Sequence, residues 1–245
     1  MHSQNPLLHL RPEWRTVWWR RRSIRTAFIL GISMLILSGC ENFPILSRVH
    51  QAVDFALSGQ PDVPLTRARI DSLPYASIRA KMGRSGKLLM ILGRYDKDEL
   101  HWVSSDHAII ATRHGRIVKT VGLKFDLIET RFPDADPIAT STQNLNQMAS
   151  DEMAPYTRLV DLANEQRYGV PAVSTLRLVG PERIEVLERS HDTLMFKETV
   201  SVDQLDWSYE NRFWLDAKTG FVWRSIQYFS PALPPVEIEV LKPAG

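Results

Sequence analysis

Residues Trp207–Phe229 read WSYENRFWLDAKTGFVWRSIQYF. Two runs rich in aromatic and apolar residues, 207–215 and 221–229, flank the short polar loop Asp216–Gly220. Alternation of apolar and polar residues is typical of half-buried β-strands. Asp at the start of the loop and Gly at its end suit a tight turn that closes on a left-handed residue. The stretch therefore predicts an antiparallel β-hairpin.

The same hairpin contains the candidate binding residues. Sugar rings stack on aromatic faces, and their hydroxyl groups hydrogen-bond to planar polar side chains, so this mixture suits a glycan or a partner protein. The candidate glycan- or partner-binding residues are Asn211, Arg212, Trp214, Asp216, Trp223 and Gln227. A structural alternative stays open, in which Phe213, Trp214 and Trp223 are cross-strand core residues. Asn211 and Gln227 would then satisfy backbone groups.

Strand-like runs continue upstream of the hairpin, separated by polar turns. Five fall between residues 75 and 121, and the others are 156–162, 172–179, 183–187 and 194–200. A proline-rich stretch of low hydrophobicity, 134–155, separates the two groups, and 236–241 reads as a final edge strand. Short strands at close spacing predict a mainly β fold, built as an antiparallel meander in one β domain over 65–245.

The N-terminal region has the pattern of an export signal. Residues 20–39 place a cationic run, Arg20 to Arg25, before an apolar core that is too short to span a bilayer. The core ends in Leu37-Ser38-Gly39-Cys40, which resembles a bacterial lipobox. We expect cleavage before Cys40 and attachment of diacylglycerol and acyl lipid to this residue, which would anchor the protein to the membrane. No other cofactor is expected.

Two further segments flank the signal. Residues 1–19 form an N-terminal extension, read either as an interfacial addition or as a start codon chosen too far upstream. Residues 40–64 would hold the lipid anchor, a linker and a short amphipathic helix at 47–58, whose apolar residues recur at helical spacing. Glu41 follows the lipid site, and an Asp there tends to retain such proteins in the inner membrane. We therefore expect the outer membrane, with the protein facing the periplasm.

Charge and cysteine content exclude two classes of protein. The whole chain has a net charge of +2, but residues 1–39 contain six Arg and one Glu. The remainder has 24 basic and 27 acidic residues, a net charge of −3. No basic surplus suggests nucleic-acid binding. Cys40 is the single cysteine, so no disulfide framework is possible.

Motifs for catalysis are missing from the sequence. There is no Gly-x-Ser-x-Gly elbow and no complete phosphate loop at Gly86-Lys87. The histidines at 101, 107 and 114 have uneven spacing and no HExxH pattern, so we predict no metal site. We therefore expect a non-catalytic protein.

Taken together, several motifs resemble the YjbF/GfcB lipoproteins. They are the lipobox, Asp71–Ser77 (DSLPYAS), the Gly86-Lys87 strand and Asn211–Trp223 (NRFWLDAKTGFVW). The resemblance covers about 65–241. It implies an outer-membrane lipoprotein encoded with genes for exopolysaccharide or group 4 capsule export. It also implies a large antiparallel meander that curls into an open half barrel, and it supplies no catalytic residues.

The resulting prediction is a lipoprotein that assists export or assembly of extracellular or capsular polysaccharide. It would act by binding glycan or an export protein. Two alternatives stay open. One is a periplasmic carrier or sensor that holds an acyl chain in the concave face of the half barrel. The other is a polysaccharide-modifying enzyme.

Overall fold

The computed structural model describes residues 65–139, 145, 153–163 and 166–245. Most of them belong to one twelve-stranded sheet. A short helix, α1 (Arg67–Ser72), precedes the sheet, and a single 3-10 turn (Asp203–Leu205) lies within it. The strands are β1 (Ser77–Met82), β2 (Leu88–Asp96), β3 (Glu99–Val103), β4 (Ile109–Arg113), β5 (Arg116–Val121), β6 (Leu127–Arg131), β7 (Tyr156–Leu162), β8 (Arg167–Val186), β9 (Arg189–Val202), β10 (Trp207–Asp216), β11 (Val222–Gln227) and β12 (Val236–Lys242).

Neighbouring strands follow the order β5-β4-β3-β2-β1-β12-β11-β10-β9-β8-β7-β6, and every ladder is antiparallel. Strands β5 and β6 end this order, yet they lie side by side. Thr120 on β5 accepts a hydrogen bond from the Leu127 backbone N–H at 2.9 Å and donates to Asp126 at 2.9 Å. Over the described strands, the sheet is therefore a nearly closed barrel with one seam that lacks a ladder.

The predicted mainly β, antiparallel meander is confirmed, and its curl is nearly complete. Three details differ from the sequence-based expectation. Strand β6 was not predicted. Residues 67–72 form a helix that was not predicted, in which Thr66 caps the Arg69 N–H. The runs 172–179 and 183–187 belong to one 20-residue strand, since Gly180 forms a bulge rather than a turn. The predicted helix at 47–58 lies outside the described residues.

One contact across the barrel divides its interior. In the ring, β5 lies six places from β11, on the opposite side. Gln227 on β11 accepts a hydrogen bond from the Ile117 backbone N–H at 2.9 Å and donates to the Gly115 carbonyl at 2.8 Å. Gly115 has φ +82°, and a Cβ there would lie 2.5 Å from Val222, so only glycine allows this approach. We call the two sides the β1 half (β1–β4 and β12) and the β8 half (β6–β10).

Apolar residues cover both faces of the sheet near β10. Phe213 and Leu215 point into the barrel and are completely buried, whereas Trp214 between them points outward. On the outer face Trp214 joins a cluster with Ile70 of α1. Arg67 fixes α1 there by donating to the backbone carbonyls of Leu241 (2.7 Å), Val186 (3.0 Å) and Leu187 (2.9 Å).

In the described part of the chain, no helix is long and apolar enough to cross a membrane.

Candidate functional site

The β8 half encloses a network of buried charges centred on Glu198 of β9. Glu198 is fully buried, and its two oxygens accept hydrogen bonds from Arg116 at 3.0 and 2.9 Å. Arg158 of β7 donates to the same carboxylate at 2.7 Å, and Asn211 of β10 donates at 2.6 Å. The hydroxyl of Tyr156 donates as well. Four elements of the barrel therefore meet at one carboxylate.

A second anion balances the network. Asp136, in the segment after β6, pairs with Arg116 through two hydrogen bonds of 2.8 and 3.1 Å. Arg158 also donates to the hydroxyl of Tyr209 at 2.8 Å, and the guanidinium of Arg116 lies 5.0 Å from the centre of the Phe213 ring. Two cations face two anions, so the group is neutral as a whole.

The pKa values of the network residues reflect two opposing effects, which are burial and pairing with opposite charges. Burial alone would raise the pKa of Glu198, but Arg116 and Arg158 outweigh it and hold this pKa well below its usual value. Burial lowers the pKa of both arginines, yet their carboxylate partners raise it above the ordinary value. Burial raises the pKa of Tyr156 and of Tyr209. Arg116, Arg158 and Glu198 are therefore ionised at neutral pH, and both tyrosines are neutral.

The network has almost no free space beside it. An adjoining cavity lined by Arg158, Tyr209 and Asn211 has a volume of only about 20 Å³, enough for roughly one water molecule. Because the charged groups already bind one another, the arrangement joins β5 to β7, β9 and β10 rather than presenting groups to a ligand. Its role is to hold the nearly closed barrel together on the side of the seam between β5 and β6.

An open cleft lies where β10 separates from β11. The two strands pair from Arg212 to Leu215, whereas β10 continues along β9 as far as Trp207. The gap between them forms a cleft of about 460 Å³. We call it the seam cleft, after the separation of β10 from β11; it is distinct from the seam between β5 and β6. Its walls include Trp207, Ser208, Tyr209, Glu210, Arg212 and Tyr228.

Aromatic and polar groups share the seam cleft. The rings of Trp207 and Tyr209 stack with centroids 4.0 Å apart, and the Tyr228 ring lies 5.8 Å from that of Tyr209. Glu210 pairs with Arg212 at 3.0 Å and with Lys197 on β9. The side chain of Arg212 is 52% exposed. The partly buried rings of Trp207 and Tyr209 thus line the same cleft as Arg212, whose exposed guanidinium can form hydrogen bonds.

Two of the six sequence-predicted site residues are buried in the barrel. Asn211 donates to Glu198 and accepts a hydrogen bond from the Tyr228 backbone N–H at 2.8 Å. Gln227 forms the bridge to β5 described above. Both side chains satisfy backbone groups, which is the structural alternative that the sequence left open.

Three others lie at or near the hairpin turn. Trp214 is 5% exposed, and its indole N–H donates to Glu182 at 2.9 Å. Trp223 is partly buried and donates to Asp216 at 3.2 Å. Asp216 also accepts the backbone N–H groups of residues 218 and 219, at 3.0 and 2.9 Å, and so fixes the predicted turn. The turn closes on Gly220, whose φ is +72°.

Arg212 alone among the six lines the seam cleft. The cleft residues Trp207, Tyr209 and Tyr228 were part of the stretch that the sequence singled out, but not as site residues. Alternation along β10 places the first two on one face. The separation of β10 from β11, which opens the space beside them, has no signal in the sequence.

Comparison with known proteins supports a single family. The model of the family described as group 4 capsule polysaccharide lipoprotein GfcB, YjbF matches residues 50–241. The chain belongs to this family. The predicted family is thereby confirmed. Its description is that of a lipoprotein family related to capsule polysaccharide.

Relatives of the YjbF family match over most of their length. The uncharacterized lipoprotein GfcB of Escherichia coli K12 is 27% identical over 219 residues, which cover 88% of this chain and 98% of GfcB. The uncharacterized lipoprotein YjbF of the same organism is 31% identical over 191 residues, covering 77% and 85%. The crystal structure of the hypothetical lipoprotein YmcC from Escherichia coli K12 has 24% identity and a TM-score of 0.68, covering 84% and 98%. It shows the same fold.

Proposed function

We propose that this YjbF-family protein is anchored in the outer membrane through lipid on Cys40, faces the periplasm, and binds polysaccharide in the seam cleft during its export or assembly. The observation that supports binding is the stacked pair Trp207 and Tyr209, which lines the same cleft as the exposed Arg212 and the partly exposed Glu210. Such a surface can stack on sugar rings and hydrogen-bond to hydroxyl groups.

The seam cleft and the first described residues lie at opposite ends of the barrel. Trp207 begins β10, so the seam cleft lies at one end of the barrel. The described chain starts at Leu65 and enters the sheet through α1 and the start of β1, at the opposite end.

Binding of purified capsular polysaccharide to the full chain tests the proposal. We expect Trp207→Ala to weaken binding about five- to tenfold, because a stacking surface is lost. Arg212→Ala should also weaken it, and this side chain is exposed enough to be removed without harm to the core. The matched control is Tyr168→Ala, which removes a 67% exposed aromatic residue of β8 outside the cleft. Full binding by both cleft variants would contradict glycan binding there and favour a protein partner.

The anchor has its own test. Cells fed an alkyne-labelled fatty acid should label the wild-type chain, because the expected lipidation uses the Cys40 thiol. The Cys40→Ala variant should carry no label and should retain residues 1–39. Equal labelling of the variant would contradict lipidation at this residue.

A further inference from the structure

The β1 half contains a second cavity that is unlike the seam cleft. It has a volume of about 320 Å³ and lies between β1, β3, β12 and the start of β11. Its deep walls are formed by the inward-facing apolar residues Ile78, Leu100, Trp102, Ile238 and Val240. Its mouth lies at the end of the barrel that carries the turns at Asp98 and His114.

Two of the polar side chains deep in these walls, Trp102 and Ser225, are already hydrogen-bonded within the protein. The indole N–H of Trp102 donates to the Thr112 hydroxyl at 2.8 Å. The hydroxyl of Ser225 accepts a hydrogen bond from the Gln227 side chain at 2.8 Å. A sugar placed here would lose its hydrogen bonds to water and gain few in return, which is costly. The interior therefore favours hydrocarbon.

The size of the cavity suits one linear chain. An apolar cavity of roughly 150 Å³ accommodates a benzene molecule, so one of about twice this volume accommodates about a dozen carbon atoms. We propose that the cavity of the β1 half binds the end of one acyl chain, with the head group of the lipid at the mouth. This site is separate from the seam cleft, and it does not depend on polysaccharide binding.

The mouth of the cavity lies at the end of the barrel opposite the seam cleft. The cavity opens at the same end of the barrel at which α1 and the start of β1 lie. Ala244 and Gly245, at the C-terminus, also line it.

Photolabelling of the full chain in phospholipid nanodiscs tests the site. The first probe is dodecanoic acid with a terminal diazirine, and the second is a phospholipid whose acyl chain carries a diazirine. After irradiation, mass spectrometry should locate the label on β3 and β12, around Leu100 and Val240. Excess unlabelled dodecanoic acid should suppress the label. Labelling by the second probe would identify membrane phospholipid as the source of the chain, and labelling by the first alone would identify free fatty acid.

A cavity-filling variant sharpens the test. Val240→Trp places a large ring in the cavity and should lower labelling of β3 by about tenfold, because the space for the chain is occupied. The control Val173→Trp adds the same ring to an exposed position of β8 and should leave labelling unchanged. Labels scattered over the surface, or labelling of β3 that Val240→Trp does not change, would overturn the proposal. The wild-type label positions decide the question even if Val240→Trp fails to fold.

Discussion

The two halves of the barrel share one strand connectivity but differ in what fills them. The β8 half includes strands of 20 and 14 residues, and its inward-facing Phe196 and Glu198 on β9 and Phe213 on β10 are all completely buried. In the β1 half, strands of five to nine residues surround a cavity of about 320 Å³. The interior of the β8 half is filled with side chains and cross-linked by ion pairs, whereas the interior of the β1 half contains a cavity. Inside the barrel, charge cross-linking and free space are therefore divided between the two halves of a single sheet, whereas the seam cleft lies where β10 leaves β11.

The charges of the β8 half are stable only as a complete set. Removing an ion from water is expensive, and a buried pair repays this cost only when its remaining donors and acceptors are also bonded. Glu198 meets that condition, because Arg116, Arg158 and Asn211 all donate to it. A change that leaves one member without its partner should therefore affect stability far more than a surface change.

Removal of Glu198 should have the largest effect. We expect Glu198→Ala to lower the free energy of unfolding by about 3–5 kcal/mol, because two buried guanidinium groups lose their shared anion. Urea unfolding of the full chain, followed by tryptophan fluorescence, measures this. Glu210→Ala is the control, since it removes a partly exposed carboxylate with two surface partners and should cost about 1 kcal/mol or less. Equal losses for the two variants would contradict the role of Glu198 as the shared anion of the buried network.

Acid should weaken the β8 half through the same carboxylate. The pKa of Glu198 is lowered in the folded state, so the folded protein binds fewer protons than the unfolded chain once the pH falls below about 4.3, the usual glutamate value. The stabilisation is complete above that pH and is lost as the pH falls towards the lower folded pKa. Unfolding measured between neutral and acid pH should show this decline. The free energy of unfolding of Glu198→Gln should decline less steeply with falling pH than that of the wild type. Identical slopes for the two proteins would contradict this role of Glu198.

Gln227 forms the bridge between the two halves, and its removal should lower the free energy of unfolding by less than the removal of Glu198. Gln227→Leu leaves the Ile117 N–H and the Gly115 carbonyl without a side-chain partner, which should lower the free energy of unfolding by about 1–3 kcal/mol. Gln204→Leu makes the same change at an exposed position in the 3-10 turn and should be nearly neutral. Equal stability of the two variants would indicate that the bridge does not hold β5 against β11.

Substitutions that enlarge a side chain should give the smallest difference in the free energy of unfolding. They compare the filled interior of the β8 half with the cavity of the β1 half. Val200→Phe, at a completely buried position of the β8 half, should lower the free energy of unfolding by about 1–3 kcal/mol, because no volume is available for the larger ring. Val240→Phe enters the cavity and should change the free energy of unfolding by less than about 1 kcal/mol. Urea unfolding compares the two directly. Similar losses at both positions would mean that the β1 half is as tightly filled as the β8 half.

Local features of the fold were predictable from the sequence. The aromatic hairpin, the meander and the turn from Asp216 to Gly220 follow from alternation and turn chemistry, and the structure contains all three. The helix α1 was missed because Ile70 is its only buried residue, so no helical periodicity marks it. The 20-residue β8 was read as two strands, since a bulge and a turn at Gly180 have the same sequence signal.

The interior could not be predicted because it depends on ring closure. Arg116 and Glu198 are 82 positions apart in the chain and meet only because β5 lies across the barrel from β9 and its neighbours. One signal was available, since Glu198 occupies an inward position between Phe196 and Val200. Alternation shows that such a residue is buried, but it does not show which cation pairs with it.

Hydrogen–deuterium exchange of the full chain, with and without purified capsular polysaccharide, tests most directly whether the seam cleft binds glycan. We predict added protection of the backbone at 207–212 and around Tyr228, because these segments form the cleft. The turn of the hairpin, at Asp216 to Gly220, should not change. Protection confined to the turn, or no protection at saturating polysaccharide, would contradict binding in the seam cleft.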